Sequence, residues 1–251
     1  MDAITYKPYY IQNKLHELGK TFEDLFDAYK KQSDYQVALM VNSNNAIDIA
    51  HAQRCPLPFV SCLVDDCLEK ALTMEEGGAH YNFTGPQGFG IANMTDALYA
   101  IKKLVYEEKK LTIEEMKEAL DYNYGQVFGT TKAQEVTEQI AKQLVAAGQK
   151  VGAAEVAMIY KQVMEDSKNH PKKSRFAEIR AMIDTVPKYG NDNEEVDLFA
   201  RDVAYTYTKP LLGYMNPRGG IFQAGLYPVS ANVPLGAQTG ATPDGRLANT
   251  P

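Results

Sequence analysis

The sequence predicts an α/β fold in which helices outnumber strands. Apolar residues recur at helical spacing through most of the chain up to about residue 208, and capping residues precede several of these stretches. The segment 219–251 instead alternates β-compatible residues with Gly, Pro and Asn. With 251 residues, of which 45% are hydrophobic and 23% charged, the chain is long enough to bury a substantial core.

Charge and hydropathy exclude several classes of function. A net charge of −6 and a pI near 5.3 argue against nucleic-acid binding, which needs a concentrated basic surface. The densest basic cluster, Lys172, Lys173 and Arg175, is short and is interpreted as a solvated helix start. No run approaches the roughly eighteen apolar residues of a membrane helix, and MDAITYKPYY lacks the apolar core of a signal peptide. We therefore expect a cytoplasmic protein without a membrane segment.

Two helices are expected in the first 55 residues. Thr21 is followed three positions later by Asp24, so its hydroxyl can cap the exposed amides of a first helix. A second, separate helix is expected from Tyr35 to about Ala52. Pro56 ends it because proline supplies no backbone donor and pushes the preceding residue out of helical geometry.

The stretch 59–72 (FVSCLVDDCLEKAL) is predicted to be one helix with Phe59, Leu63, Cys67 and Leu68 on one side. It also carries the adjacent carboxylates Asp65 and Asp66. Neighbouring side chains on a helix point about 100° apart, so an acid–base pair on one substrate bond is disfavoured. A solvated face with one structural ion pair is the favoured interpretation.

The three cysteines, Cys55, Cys62 and Cys67, have a spacing that matches no common zinc or iron–sulfur pattern. Reduced, partly buried thiols are the favoured interpretation. No metal site is predicted.

A glycine-rich region follows, in which 76–83 (EGGAHYNF) is expected to be a turn into a strand and Gly85–Gly90 another bend. A phosphate loop is the alternative for the bend, but no Lys-Ser/Thr follows the last glycine, so close backbone packing is favoured. His80 is the candidate functional histidine because it lies between the turn and the strand. A structural role is favoured, since its own element offers no carboxylate or second histidine at ligand spacing.

Helices are expected to return after residue 90. Asn93 is predicted as an N-cap, and Thr112 with Glu115 forms a capping box. The segments 131–147 and 152–168 are predicted to form a helical hairpin. Its facing residues would be Val136, Ile140 and Leu144 against Val156, Ile159 and Val163. Asp192 or Asn193 caps a last long helix that ends before Pro210.

The extended tail closes on a turn at Thr242-Pro243-Asp244-Gly245-Arg246. Pro243 presets the backbone of the second turn position, Asp244 can bond its own backbone, and Gly245 tolerates positive φ. Arg218, in Asn-Pro-Arg-Gly-Gly, can pair with a carboxylate, but the sequence does not identify the partner.

Several segments together resemble the glycyl radical enzyme family, which includes pyruvate formate-lyase and the radical diol dehydratases. The blocks are LYPVSANVPLG at 226–236, TGATPDGR at 239–246, the segment 56–96 and KYGND at 188–192. They occur in the order found in the family, so the resemblance extends over most of 35–251. The tail and the GGAHYNFTGPQGFG block are most similar to the radical glycerol and propanediol dehydratase branch.

The resemblance implies a ten-stranded α/β barrel wrapped by helices, of which residues 1–251 form a partial, helix-rich portion. The hairpin, at about 126–172, is then expected to be an insertion found in some members only. The C-terminal glycyl radical domain is expected to be absent from this chain.

Family chemistry implies a glycyl radical, installed by an iron–sulfur activating enzyme that uses S-adenosylmethionine, and a cysteine in a Gly-Cys-x-Glu motif. None of the three cysteines is preceded by Gly and followed two positions later by Glu, and no glycine stands in an Arg-Val-x-Gly-Tyr context. We therefore expect this chain to contain no catalytic residue of the family, to bind no cofactor and to be inactive alone. Whether the chain by itself counts as an enzyme is left open.

In the family, the loop after one barrel strand lines the substrate pocket, and it matches Tyr227–Val233 here. The resemblance makes Tyr227 and Val229 candidate pocket walls, and Ser230 and Asn232 candidate polar or loop-fixing groups. An alternative stays open, in which the Tyr hydroxyl and the Asn amide satisfy backbone groups of a turn.

The parent protein is expected to be a radical dehydratase of small vicinal diols, propane-1,2-diol or glycerol. Alternatives are a formate C-acetyltransferase, which transfers an acetyl group to coenzyme A, and a hydroxyproline dehydratase or a C–S or C–N lyase. All share one scaffold, so the fold cannot choose among them. The expected partners of the parent are its small-molecule substrate, the activating enzyme and a second copy in a homodimer. A hypothesis from another class is a non-catalytic structural partner chain.

Overall fold

A computed structural model of the chain describes residues 21–126 and 130–251. The helices are α1 (Phe22–Arg54), α2 (Pro58–Ser61), α3 (Cys67–Lys70), α4 (Ile91–Ile101), α5 (Ile113–Asp121), α6 (Thr130–Ala146), α7 (Ala153–Lys168), α8 (Lys173–Thr185), α9 (Glu194–Thr208) and α10 (Asn232–Gly236). Short 3₁₀ turns (Met74–Glu76, Asn123–Gly125) and a π-helical turn (Lys102–Glu107) interrupt the series. Strands β1 (Gln87–Gly88) and β2 (Gly225–Leu226) form a two-stranded sheet.

The chain divides into two compact units. The first contains the residues up to Pro86 together with Tyr205–Gly225, and the second contains Gln87–Ala204 together with Leu226–Pro251. Within the described ranges, no helix is both long enough and apolar enough to cross a membrane.

Helix α1 dominates the first unit. It begins at the predicted capping box, where Thr21 Oγ1 accepts a hydrogen bond from the Asp24 amide at 3.3 Å. The helix then continues without a break to Arg54, so the prediction of a separate helix from Tyr35 is wrong. The polar run 30–34 interrupts the apolar periodicity but contains no Gly or Pro that would end a helix.

The core of the first unit forms where α1 meets the later part of the chain. Val37 and Val41 of α1 are buried against Leu211 and Phe222. Phe222 also forms a parallel bridge with Thr84. The Thr84 amide donates to the Ile221 carbonyl at 2.9 Å, and the Gln223 amide donates to the Thr84 carbonyl at 2.9 Å. The turn expected at 76–83 therefore leads into a short parallel pair at Thr84 and Phe222, whereas the bend expected at Gly85–Gly90 contains β1.

The single helix predicted over 59–72 is wrong. The backbone breaks into α2 and α3 because Asp66 and Ala71 adopt left-handed conformations, with φ of 72° and 53°. Of the predicted apolar side, only Cys67 is buried. Phe59, Leu63 and Leu68 are 80%, 76% and 68% exposed.

The core of the second unit is built by helices α4, α5, α8 and α9. Its buried residues include Tyr99, Met116, Phe176 and Val196. The Thr112 capping box at α5 is confirmed, since Thr112 Oγ1 accepts from the Glu115 amide at 3.1 Å.

Two further caps were predicted in the second unit. At α9 the cap is Asn193, whose Oδ1 accepts from the Val196 amide at 3.3 Å. The cap predicted at Asn93 is wrong, because α4 begins one turn earlier, after Gly90 at φ 77°. Asn93 is therefore a residue of the helix itself, and its side chain donates a hydrogen bond to Asp244.

The predicted hairpin is confirmed as α6 and α7, although residues 127–129 of the expected insertion lie outside the described residues. Ala133 and Val163 are buried between the helices, with Val136, Ile140 and Ile159 packed against them. Val156 is 39% exposed and, with Leu144, lies outside this cluster. That the hairpin is an insertion stays a prediction.

The tail is only partly extended. Residues 221–226 take part in bridges and in β2, but Asn232–Gly236 forms α10, which the prediction of an extended segment missed. Pro234 lies in the first turn of α10, where a missing amide is tolerated.

We expect the isolated chain to self-associate at micromolar concentration, because Phe59, Leu63 and Leu68 expose apolar surface close together in sequence and the β1–β2 pair has open edges. Replacing these three residues by Ser should lower the apparent mass measured by size-exclusion chromatography with light scattering. Val145→Ser, which removes one exposed apolar residue elsewhere, is the control. A monodisperse monomer of the unmodified chain would contradict this prediction.

Candidate functional site

Three of the four predicted pocket residues, Tyr227, Val229 and Ser230, lie on the loop that leads from β2 into α10, and the fourth, Asn232, is the first residue of α10. The Tyr227 amide donates to the Gly88 carbonyl at 3.2 Å, which fixes the start of the loop. Tyr227 is 54% exposed, Val229 is half-buried, and Ser230 and Asn232 are exposed. Among the described residues, no hydrogen-bond partner is found for the Tyr227 hydroxyl or for the Ser230 and Asn232 side chains.

The turn that follows α10 has the predicted geometry. The Gly245 amide donates to the Thr242 carbonyl at 3.1 Å, and Gly245 has φ of 97°. The Asp244 carboxylate accepts from the Thr242 hydroxyl and, at 3.2 Å, from the Arg246 amide. The roles predicted for Asp244 and Gly245 are therefore confirmed, and that of Pro243 stays a prediction.

Three side chains from separate elements donate hydrogen bonds to backbone carbonyls of this turn. The Tyr124 hydroxyl donates to the Thr242 carbonyl at 2.7 Å, Lys188 Nζ to the Asp244 carbonyl at 3.1 Å, and Arg180 Nε to the Gly245 carbonyl at 3.0 Å. Burial raises the pKa of the Tyr124 hydroxyl well above its ordinary value, so the group stays a protonated donor. We call Tyr124, Arg180 and Lys188 the turn clamp. Lys188 belongs to the KYGND block, so the clamp brings two of the quoted sequence blocks together.

The clamp depends on a strained turn that sequence reasoning missed. Asn123, Tyr124 and Gly125 are consecutive left-handed residues, with φ of 48°, 52° and 78°. Two non-glycine residues in this region carry a strain of about 1–3 kcal/mol each, which the surrounding structure must offset. The Asn123 side chain accepts from the Ala248 amide at 2.8 Å, so this residue also contacts the tail. The sequence signal that could have indicated left-handed backbone here is the glycine at position 125.

The segment after the turn folds back onto α10. The Asn249 amide donates to the Thr239 carbonyl at 3.0 Å, and the Asn249 side chain donates to the Ala237 carbonyl. Arg246 donates to the Thr250 carbonyl at 2.7 Å and to the Gly240 carbonyl. A methyl group on Gly236 would overlap the Thr250 carbonyl. The helix that begins with Asn232 therefore rests directly on the segment that the clamped turn supports.

His80 lies in the first unit and finds a carboxylate that sequence reasoning did not consider. Its Nδ1 is 2.8 Å from Asp66 Oδ2, and Lys70 Nζ is 3.3 Å from the same oxygen. The hydrogen bond with His80, followed by that with Lys70, lowers the pKa of the Asp66 carboxyl. The expected ion pair is therefore observed at Asp66. His80 is 57% exposed, and its functional role stays a prediction.

Arg218 joins three segments of the first unit. Its Nε donates to Asp48 Oδ2 of α1 at 3.1 Å, and its Nη2 donates to Thr84 Oγ1 at 3.0 Å. The neighbouring Asn216 also donates to Thr84 Oγ1, at 2.8 Å. The partner that the sequence left open is thus Asp48, and the arrangement is structural.

The three cysteines are free thiols, of which only Cys67 is buried. In the part of the chain that the structure describes, no cluster of three or more His, Cys, Asp and Glu residues is placed to hold a metal ion.

Asp96 lies beside the clamped turn and is the site of a testable pH effect. Its Oδ1 accepts from the Tyr189 amide at 2.8 Å, yet burial, with a contribution from Asp244, raises the pKa of its carboxyl above the ordinary 3.8. A raised carboxyl pKa contributes stability below pH 3.8 that is lost as the pH rises through the folded-state value.

We therefore expect Asp96→Asn to stabilise the chain at pH 7, because the amide oxygen still accepts the hydrogen bond without carrying charge. The carboxyl remains partly exposed, so the gain should be on the order of 0.5 kcal/mol. Thermal unfolding at pH 7 and at pH 3 should show the gain only at pH 7. An equal difference in stability between the variant and the unmodified chain at both pH values would contradict this prediction.

The family model that matches this chain is described as pyruvate formate lyase-like and covers residues 1–236. The chain therefore belongs to the pyruvate formate-lyase-like family. This confirms the resemblance to glycyl radical enzymes that the sequence blocks indicated.

Among solved structures, one concerned with 1,2-propanediol dehydration in Roseburia inulinivorans is 57% identical, with a TM-score of 0.84 over 94% of this chain and 28% of that chain. The glycerol-bound B12-independent glycerol dehydratase of Clostridium butyricum is 39% identical, with a TM-score of 0.70 over 94% of this chain and 24% of that chain. A curated relative, a probable dehydratase of Escherichia coli (strain K12), is 31% identical over 100% of this chain and 26% of its own length.

The chain thus spans about a quarter of the length of the relatives it matches. The structural neighbours are glycyl radical enzymes, and the helix-rich character expected of a part of such a fold is confirmed.

Proposed function

We propose that this chain is part of a glycyl radical dehydratase that acts on a small vicinal diol, propane-1,2-diol or glycerol. The observation that carries the proposal is the 57% identity with the Roseburia inulinivorans structure concerned with 1,2-propanediol dehydration. Identity falls to 39% for the glycerol dehydratase and to 27% for the hydroxyproline dehydratase of Clostridioides difficile. This order favours diols over hydroxyproline.

The same proposal places the chain in a ten-stranded α/β barrel. The parallel pairing of Thr84 with Phe222 supports it, since parallel neighbours joined through helices are the building pattern of α/β barrels. In the complete protein, the glycyl radical and its partner cysteine would supply hydrogen abstraction from the diol. No cysteine of this sequence stands in the required motif, so its residues are assigned binding and scaffolding roles only.

The loop from Tyr227 to Asn232 is proposed to form one wall of the diol pocket. Tyr227 and Val229 present apolar surface suited to the methyl or methylene carbons of the substrate. Ser230 and Asn232 present hydroxyl and amide groups, each able to donate and to accept a hydrogen bond with a substrate hydroxyl. Their exposure, and the lack of partners for the polar groups in the described residues, support this role.

A chimera tests the function. Residues 21–251 would replace the matching segment of the Roseburia inulinivorans protein, and the product would be activated without oxygen by the activating enzyme of that protein. We expect conversion of propane-1,2-diol to propanal and water, or of glycerol to 3-hydroxypropanal and water.

The same chimera separates the alternatives. Turnover of trans-4-hydroxyproline, or of pyruvate with coenzyme A, in place of the diols would replace the proposal by those activities. A folded, activated chimera that converts no substrate would favour the non-catalytic partner chain.

In the active chimera, Asn232→Ala should raise KM for the diol about tenfold, the effect of losing about one hydrogen bond to a substrate hydroxyl. Gln238→Ala, an exposed amide in the same segment, is the matched control. Steady-state kinetics on both variants decide the point. A KM unchanged by Asn232→Ala would remove this residue from the pocket.

A further inference from the structure

The turn clamp and the proposed pocket loop belong to one unit and are linked by a continuous series of contacts. The clamp holds the carbonyls of Thr242, Asp244 and Gly245. The next residues, 246–250, bond back to Ala237, Thr239 and Gly240. Helix α10, which starts at Asn232, therefore has its support at the clamped turn.

The hydrogen bonds of the clamp are suited to fixing the position of a chain segment, while the ring of Tyr124 also belongs to the core. Each clamp residue donates to a backbone carbonyl, so its effect depends on the path of the chain and not on the side chains of the turn. The donors come from the strained turn at Asn123–Gly125, from α8 and from the segment before α9. Three donors from separate elements leave a backbone segment little freedom to translate or rotate.

We propose that Tyr124, Arg180 and Lys188 are positioning residues for the pocket loop. Through the turn at 242–246 and the segment 246–250, they fix α10 and with it the place of Ser230 and Asn232. The inference rests on the proposed function for what the loop binds. The series of contacts that connects the clamp to α10 does not depend on that function.

Hydrogen exchange of backbone amides tests the link without requiring activity. The reporters are the amides of Leu235 in α10, of Ala237 at the C-terminal cap of α10, and of Thr239 and Asn249, which all bond to carbonyls within residues 231–239. In Tyr124→Phe and Lys188→Met, these amides should exchange about five- to tenfold faster than in the unmodified chain, because the loss of one hydrogen bond raises the open population by about that factor.

Two kinds of control, core amides and a variant outside the clamp, test whether the change in exchange rate is local. The amides of Met116 and Phe176, which bond within the core helices, should exchange at unchanged rates. Arg175 lies on the same helix as Arg180, but it bonds Lys110, Glu115 and Glu178 and not the turn. Arg175→Gln, which removes this cation, should therefore leave α10 unchanged. Arg180→Gln should behave like the other clamp variants, and Lys188→Arg, which keeps a cationic donor, should restore slow exchange.

Faster exchange confined to the turn itself, or equal acceleration in α10 and in the core helices, would overturn the proposal. In the chimera, the clamp variants should raise KM for the diol several-fold and change kcat less. If the unmodified chimera converts no diol, the proposed function fails while the exchange result still decides whether the clamp positions α10.

Discussion

Gly220→Ala is expected to destabilise the first unit by about 3–5 kcal/mol, the upper range for a single substitution that forces a backbone clash. A methyl group at this position would overlap the carbonyl oxygen of Asn82 and lie 2.8 Å from the Phe83 amide nitrogen. Both are backbone atoms, so no change of rotamer can relieve the contact. One of the two chain segments would have to move.

Such a movement would also disturb the hydrogen bonds around Gly220, first within its own turn and then, through Asn216, to the other segment. The Gly220 amide donates to Asn216 Oδ1 at 2.9 Å, and the Asn216 amide donates to the Gly220 carbonyl at 2.8 Å. Asn216 in turn donates to Thr84 Oγ1. The clash therefore spreads to the parallel pairing at Thr84, which aligns the two extended segments.

Urea unfolding, at concentrations where light scattering shows a monomer, measures the effect. Gly240→Ala is the near-neutral control, because its methyl group meets no atom within 4 Å and the backbone is not left-handed. Gly219→Ala separates conformation from clash, since Gly219 has φ of 83° and equally open surroundings. We expect it to lose about 1–2 kcal/mol from backbone strain alone. A loss for Gly220→Ala no larger than that for Gly219→Ala would contradict the clash.

What the sequence predicted correctly depends on interactions between near neighbours. The capping boxes at Thr21 and Thr112 are complete within four residues, and the turn at Thr242–Arg246 within five. The hairpin of α6 and α7 has a clear apolar period on both helices. In each of these cases the determinants and the structure they specify lie in one short stretch.

Several of the failures involve contacts between residues that are distant in the sequence. The 59–72 segment has helical spacing, but left-handed residues at Asp66 and Ala71 break it. The Asp66 carboxylate reaches His80 on a later element, and Tyr124 reaches Thr242 across 118 positions. No period or spacing reports such pairs. The loop proposed to line the pocket was predicted through the family resemblance alone, since its exposed residues follow no pattern that residue chemistry would single out.

Arg218→Met is expected to destabilise the first unit by about 2 kcal/mol. The Arg218 and Asp48 side chains are 20% and 21% exposed, so their ion pair is largely removed from water. Removing the cation leaves the Asp48 carboxylate without a compensating charge. In fully buried pairs, the loss of one partner lowers the stability by about 3–5 kcal/mol. Partial exposure reduces the figure, and methionine keeps most of the apolar contact of the arginine stem.

A double-mutant cycle isolates the pair. Asp48→Asn keeps the shape of the acceptor while removing its charge, so the double variant should be less destabilised than the sum of the two single variants by about 1–2 kcal/mol. Lys142→Met, which removes a cation from an exposed pair on α6, is the control and should change the stability by less than about 0.5 kcal/mol. Additive effects of the two single variants would show that the pair contributes no coupling energy.

Arg218→Lys distinguishes charge from geometry at the same position. The guanidinium reaches Asp48 through Nε and Thr84 through Nη2, two acceptors 36 positions apart in the sequence. A lysine ammonium is a point charge on a flexible stem and lacks the planar fork that serves both at once. We therefore expect the lysine variant to recover only part of the stability lost in Arg218→Met. Full recovery would show that charge alone matters here, and that the hydrogen bond to Thr84 does not help to hold α1 against the parallel pair.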